Sequence, residues 1–180
     1  GIKLPDTVNI MIEEESVVYA IKSSDGQWWM MDSDGRAVEQ ANNAKAATAT
    51  QVLGVTLEAP TVNEKGVATE MTPSETNELG ELIPVTTTGA QRLTAALQIL
   101  KALENNDIVG EAASVDVTST EDIILWYGTR YQVNLGDTSR LDYKVDCMND
   151  AILQMSDYQS GVLDISFTIW PNQVGYTPFA

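Results

Sequence analysis

Along TVNIMIEE, residues 7–14, apolar and polar positions alternate, with Val8, Ile10 and Ile12 on one side. That is the period of a half-buried strand. Pro5 suits a strand entrance, and the pattern extends through Val17 to Ile21. SSDG and DSDG then bracket QWWMM, so the chain reads strand, turn, strand, turn, strand up to Val38, a small meander. The following EQANNAKAATATQ has little large apolar weight to anchor a core. It is expected to cross between two units, 1–45 and 46–180, with the boundary near residues 40–50.

The second unit opens with the strand-like VLGVTLEAP. Residues 62–82, with NEKG and TPSETNELGE, are polar, acidic and rich in turn formers, and are expected to form a mobile loop. After TTTG the period changes. Leu93, Ala96, Leu97 and Leu100 form a stripe at helical spacing, Thr87 or Thr88 can cap its start, and it should end near Asn105 and Asn106.

ASVDVTS, DIILWYG and RYQVNLG read as three strands of an antiparallel meander. A second helix carries the stripe Leu141, Val145, Met148, Ile152 and Met155, with Asp137, Thr138 or Ser139 as its cap. Gln159, Ser160 and Gly161 end it, and VLDISFTIW forms a final strand that Pro171 stops. The predicted class is α+β: an antiparallel sheet with two main packed helices, preceded by a strand meander.

Charge narrows the partners. With 26 acidic against 10 basic side chains the net charge is -16, which repels nucleic acid and anionic lipid. The 180 residues include no histidine and one cysteine, Cys147, so histidine-based triads, most zinc sites and an intrachain disulfide are excluded. No apolar run approaches the ~20 residues that span a bilayer, and no signal region opens the sequence, so a soluble chain is expected.

The candidate chemistry is sparse. YGTRYQVNLGDTSRL, residues 127–141, has two glycines in the setting of a phosphate loop, but NLGDTSRL offers one glycine beside an aspartate and no lysine. A strand end followed by a helix cap is the better description. DSDG would place Met30 and Ala41 where a calcium loop needs carboxylates, so it is a turn. Glu13, Glu14 and Glu15 alternate faces on a strand and mark no cleft, and Cys147 has no base beside it. No catalytic residue, metal or cofactor is expected, and the chain is not expected to be an enzyme.

Aromatic residues suggest binding instead. Trp28 and Trp29 must face opposite sides of their strand, so that one packs inward and core packing is the expected use; the alternative function is a cell-wall polysaccharide module with Trp28, Trp29 and Tyr131 as sugar platforms. The final strand gives a different surface. Phe167, Ile169 and the chain reversal at Trp170 and Pro171 lie at its end, where an open sheet edge would accept a partner strand through backbone hydrogen bonds. Phe167 and Ile169 would serve equally as cover for the second helix.

LPDTVNIMIEEESVVYAI followed by QWWMMDSDGRAV resembles the second half of the POTRA domain of the FtsQ/DivIB bacterial cell-division proteins. ASVDVTSTEDIILWYGTRYQVNLGDTSRLDYKV and GVLDISF resemble the β domain of that family. Together these motifs cover most of residues 4–170. The resemblance implies a partial POTRA-like unit over 1–45 and a β domain over 46–180. It implies a non-catalytic scaffold for septum formation on the outer face of the cytoplasmic membrane, anchored by a transmembrane helix outside this sequence. It also implies FtsL and FtsB/DivIC-type partners that add a strand beside the last strand, at Phe167, Thr168, Ile169 and Trp170. The acidic insertion and the TIWPNQVGYTPF tail depart from the family pattern.

Overall fold

The computed structural model describes residues 18–70, 78–82 and 86–180. The alternating segment at 7–14 and Glu13, Glu14 and Glu15 lie outside them.

Two aspartate-glycine turns shape the first three strands, β1 (Val18–Ser23), β2 (Trp28–Asp32) and β3 (Ala37–Ala41). In the first, the Asp25 carboxylate accepts from the Gln27 N–H and the Ser23 hydroxyl. In the second, Asp32 accepts from the N–H groups of Asp34 and Arg36. Gly26 and Gly35 supply positive φ, 83° and 79°. DSDG is therefore a turn whose carboxylate is spent on its own backbone.

β3 leads through a one-turn helix, α1 (Asn43–Ala46), into β4 (Thr50–Leu57), which returns parallel to β1. α2 (Gly89–Asn105) starts with a reciprocal cap: the Thr88 hydroxyl accepts from the Gln91 N–H while the Gln91 side chain accepts from the Thr88 N–H. Then come β5 (Ala112–Asp116), β6 (Ile123–Tyr127), β7 (Tyr131–Gly136), α3 (Leu141–Leu153), β8 (Gly161–Asp164) and β9 (Gly175–Pro178). The nine strands of the described residues join one sheet in the order β3-β2-β1-β4-β5-β6-β7-β8-β9.

The α+β class stands, but the sheet is mixed rather than antiparallel. β1–β4, β4–β5 and β7–β8 pair in parallel, because a helical connection carries the chain back across the sheet before each later strand. Segments on both sides of residue 45 share this sheet and one core. The 40–50 stretch is a tight connection, with Ala46 of α1 buried against Ala20, Trp28 and Met30.

α2 and α3 cover one sheet face. Leu93, Ala96, Ile99, Leu100 and Leu103 of α2, with Val145 and Met148 of α3, pack against Ile21, Met31, Val52, Leu57, Val115, Leu125, Val133 and Leu163. Burial of this apolar surface is the main stabilising term. α1 covers the opposite face at β1–β3, and among the described residues no helix covers the same face of β5–β8. There the outward residues of successive strands align: Ser114, Trp126, Gln132 and Val162 in one row, Ile124, Asn134 and Asp164 in the next.

One core hydroxyl has no partner among the described residues. Tyr19 is 1% exposed, and its OH makes no hydrogen bond among the described residues. Burial pushes its pKa up, so the phenol stays neutral but remains desolvated. Tyr19→Phe should therefore raise stability by about 1 kcal/mol in urea unfolding. A loss of similar size would mean that the hydroxyl is bonded in solution.

Three further expectations change. Residues 63–69 of the 62–82 loop are tied to the sheet: the Ala37 N–H donates to the Glu64 carbonyl (2.9 Å), the Asn63 N–H to the Ala37 carbonyl (2.7 Å) and the Thr69 N–H to the Thr56 carbonyl (2.9 Å). α3 has no side-chain cap; Arg140 at φ 55° precedes it, and Asp137 instead organises the turn before it. The final strand stops at Asp164, because the Asp164 carboxylate accepts from the Ser166 N–H and hydroxyl and turns the chain.

Candidate functional site

Gly136, at φ 68°, ends β7 in a close turn. A Cβ there would lie 2.8 Å from the Ser166 Cβ. Beyond it, the Asp137 carboxylate takes the Ser139 N–H and hydroxyl together with the Lys144 ammonium, whose Nζ also donates to the Asp137 carbonyl, both at 2.9 Å. Hydrogen bonds from Ser139, then from Lys144, lower the Asp137 pKa to about 2. An anion would meet a carboxylate here, so the loop is a strand end and helix lead-in.

The proposed sugar platform is not assembled. Tyr131 is fully buried, with its hydroxyl accepting from the Arg130 guanidinium. Trp28 belongs to the small cluster under α1, while Trp29 packs against the main core on the other face. The two tryptophans do face opposite sides, as strand alternation requires. The three rings present no common surface.

Phe167, Thr168, Ile169 and Trp170 all lie in the loop from 165 to 174 rather than in a strand. Phe167 has φ 60° and packs half-buried against the core, its ring 5.7 Å from that of Tyr143, with Arg140 stacked over both. Of the two uses open to it, Phe167 takes the role of helix cover. Ile169 and Trp170 are 69% and 56% exposed, and Thr168 is exposed beside them. On the helix-free face a groove lined by Ile124, Gln132, Asn134, Asp164, Ser166 and Ile169 runs to this loop.

The edge of β8 is occupied by β9, which pairs antiparallel with it from Gly161↔Pro178 to Asp164↔Gly175. Tyr176 lies opposite Leu163 on the core side, and its hydroxyl donates to the Ser160 carbonyl at 3.1 Å. Phe179, just past the strand, folds over the helix-free face and stacks on Trp126 with ring centroids 6.1 Å apart. Sequence reasoning stopped at Pro171 and missed β9. The spaced aromatics of GYTPF, Tyr176 and Phe179, are the signal that was available.

Among the described residues no group of three or more cysteine, aspartate or glutamate side chains is placed to hold a metal ion, and no helix is long and apolar enough to cross a membrane. What the site offers is a sheet end, closed by a strand of four residues and flanked by exposed Ile169, Trp170 and Phe179. Compared with family models, with curated proteins and with solved structures, the chain matches none of them.

Proposed function

We propose that the protein is a non-catalytic scaffold of the bacterial cell-division complex, resembling FtsQ/DivIB, that binds FtsL and FtsB/DivIC-type partners by strand addition at the β8–β9 end of its sheet. It works on the outer face of the cytoplasmic membrane at the septum. The observation that carries this is the conjunction of a lightly covered sheet edge with exposed apolar side chains at Ile169, Trp170 and Phe179. Backbone hydrogen bonds of the edge would supply affinity, and the flanking side chains specificity. The ordered motifs from residues 4 to 170 support the family assignment. The polysaccharide alternative lacks a shared aromatic surface.

Isothermal titration with the extracellular C-terminal segment of a DivIC-like protein from the same organism tests this. Saturable binding is expected, weakened at least ~tenfold by the double variant Ile169→Asp, Trp170→Asp. Both side chains are exposed, so the variant should keep its fold. Equal affinity in the folded double variant, or no binding either to the unaltered chain or to one with β9 loosened, would remove the proposal. Phe167 is unsuited to this test because its ring packs on the core.

A further inference from the structure

We infer that β9 is an exchangeable occupant of a strand-acceptor site on β8, and that the partner is an extended segment resembling residues 173–180, with one aromatic facing the core and a second, three positions later, over Trp126. This rests on the proposed function and specifies the partner chemistry at the same site.

The acceptor edge belongs to β8 and not to the outer side of β9. The Gly161 N–H points inward to the Arg130 carbonyl, and the Phe179 N–H donates to the Ser160 carbonyl. By antiparallel alternation, Gly161/Pro178 and Leu163/Tyr176 are the non-hydrogen-bonded pairs, so the nitrogens of Tyr176 and Pro178 face out. Proline has no N–H, leaving that outer edge the single donor of Tyr176. Proline there blunts the edge of β9.

β8, in contrast, is built to receive a strand. A Cβ at Gly161 would lie 2.3 Å from the Thr177 carbonyl oxygen, 2.8 Å from Tyr176 Cε2 and 2.9 Å from Pro178 Cα. All three nearest neighbours belong to β9, so the glycine makes room for the added strand. The remaining slots are chemical: the Ser160 carbonyl receives a phenol, Leu163 faces its ring, and Trp126 receives the second aromatic.

β9 can leave without dismantling what precedes it. The loop is anchored separately to the start of α3, by Phe167 against Tyr143 and by the Arg140 guanidinium donating to the Asn172 side chain at 2.9 Å. Only the residues after Asn172 need to move. Among the described residues β9 pairs with β8 alone, at the end of the strand order. Such peripheral elements open at lower free energy than central strands.

The test uses a fluorescein-labelled peptide, QVGYTPFA, copying residues 173–180, and the 180-residue chain and its variants read by fluorescence anisotropy. In the unaltered chain β9 competes at an effective concentration of ~1 mM, so the peptide should bind weakly. Tyr176→Ala with Phe179→Ala loosens the internal strand while leaving β8 intact, and should bind the peptide at least ~tenfold more tightly. Adding Gly161→Ala should abolish that binding. Val162→Cys with Thr177→Cys, in a Cys147→Ser background, joins two directly opposed residues; the oxidised form should bind neither the peptide nor the DivIC-like segment, and reduction should restore both.

A folded, loosened chain that binds no better than the oxidised one overturns the inference. If that variant loses the circular dichroism of the parent, hydrogen exchange on the parent decides instead. The Thr177 amide should exchange at least ~100-fold faster than that of Val133 in β7, and equal protection overturns the inference. Peptide binding without DivIC-segment binding to any variant leaves strand exchange standing and removes the division-scaffold proposal. DivIC-segment binding undiminished in the oxidised chain places the partner elsewhere and overturns the inference.

Discussion

Gly54→Ala should destabilise the protein by about 3 kcal/mol or more, measured by chemical denaturation, because two penalties act at one backbone position. Gly54 lies in β4 where its register with β1 jumps: Ile21 pairs with Val52, yet Ser23 pairs with Leu57. The extra residues are absorbed in a bulge that needs φ 86° at Gly54. A Cβ there would fall 2.3 Å from the Thr118 backbone nitrogen, so the chain that continues β5 would have to retreat. The Gly54 carbonyl also accepts from Arg92 Nη1 of α2 at 3.0 Å, so a shifted bulge pulls on the main helix. Gly26→Ala is the control. Its φ of 83° is similar but its added Cβ meets nothing within 4 Å, and it should cost only about 1 kcal/mol. Equal losses at the two sites would mean that dihedral strain alone matters.

Lys144→Ala should cost about 3 kcal/mol, whereas Lys144→Met should cost about half as much. The Lys144 side chain is 2% exposed, so alanine empties the space filled by its stem, while methionine keeps most of that packing and removes the hydrogen bonds. The same pair gives stability an acid dependence. The folded pKa of Asp137 is depressed to about 2, so its stabilisation is present above the unfolded value of about 4 and fades as pH falls from about 4 to about 2. Asp137 is 56% exposed, and solvent screening reduces the contribution to about 1 kcal/mol. Asp137→Asn should flatten the stability profile across that window. An unchanged slope would show that other carboxylates dominate acid unfolding.

The elements legible in the sequence were those with local causes. SSDG and DSDG declared their turns because aspartate and glycine perform them without distant help, and the leucine stripe of α2 declared its buried face. What escaped depends on neighbours far along the chain. Gly54 looks like any strand glycine until Thr118 is brought against it. Pairing direction is set by which strand a helix returns beside, so three parallel pairs hid among segments that read as meanders. VLDISFTIW alternates well enough to continue, but Asp164 and Ser166 close a local turn that competes with the ladder. β9 holds one proline and one glycine in four residues, and gains its place only because β8 offers an edge. Of the candidate site, the exposed Ile169 and Trp170 were legible; the strand lying beside them was not.

The strand order also carries an expectation for the sequence of events in folding. β1, β2 and β3 pair through short turns, as do β5, β6 and β7, so each trio can form from local encounters. The seam between β4 and β5 is different: everything from Leu57 to Ala112, including α2, must be gathered before those strands lie parallel. Closing that long loop is the entropically expensive step, and the core beneath α2 is complete only after it. The two locally paired trios are therefore expected to form before that junction, and pulse-labelling hydrogen exchange during refolding should show β4 and β5 protected later than β2 and β6.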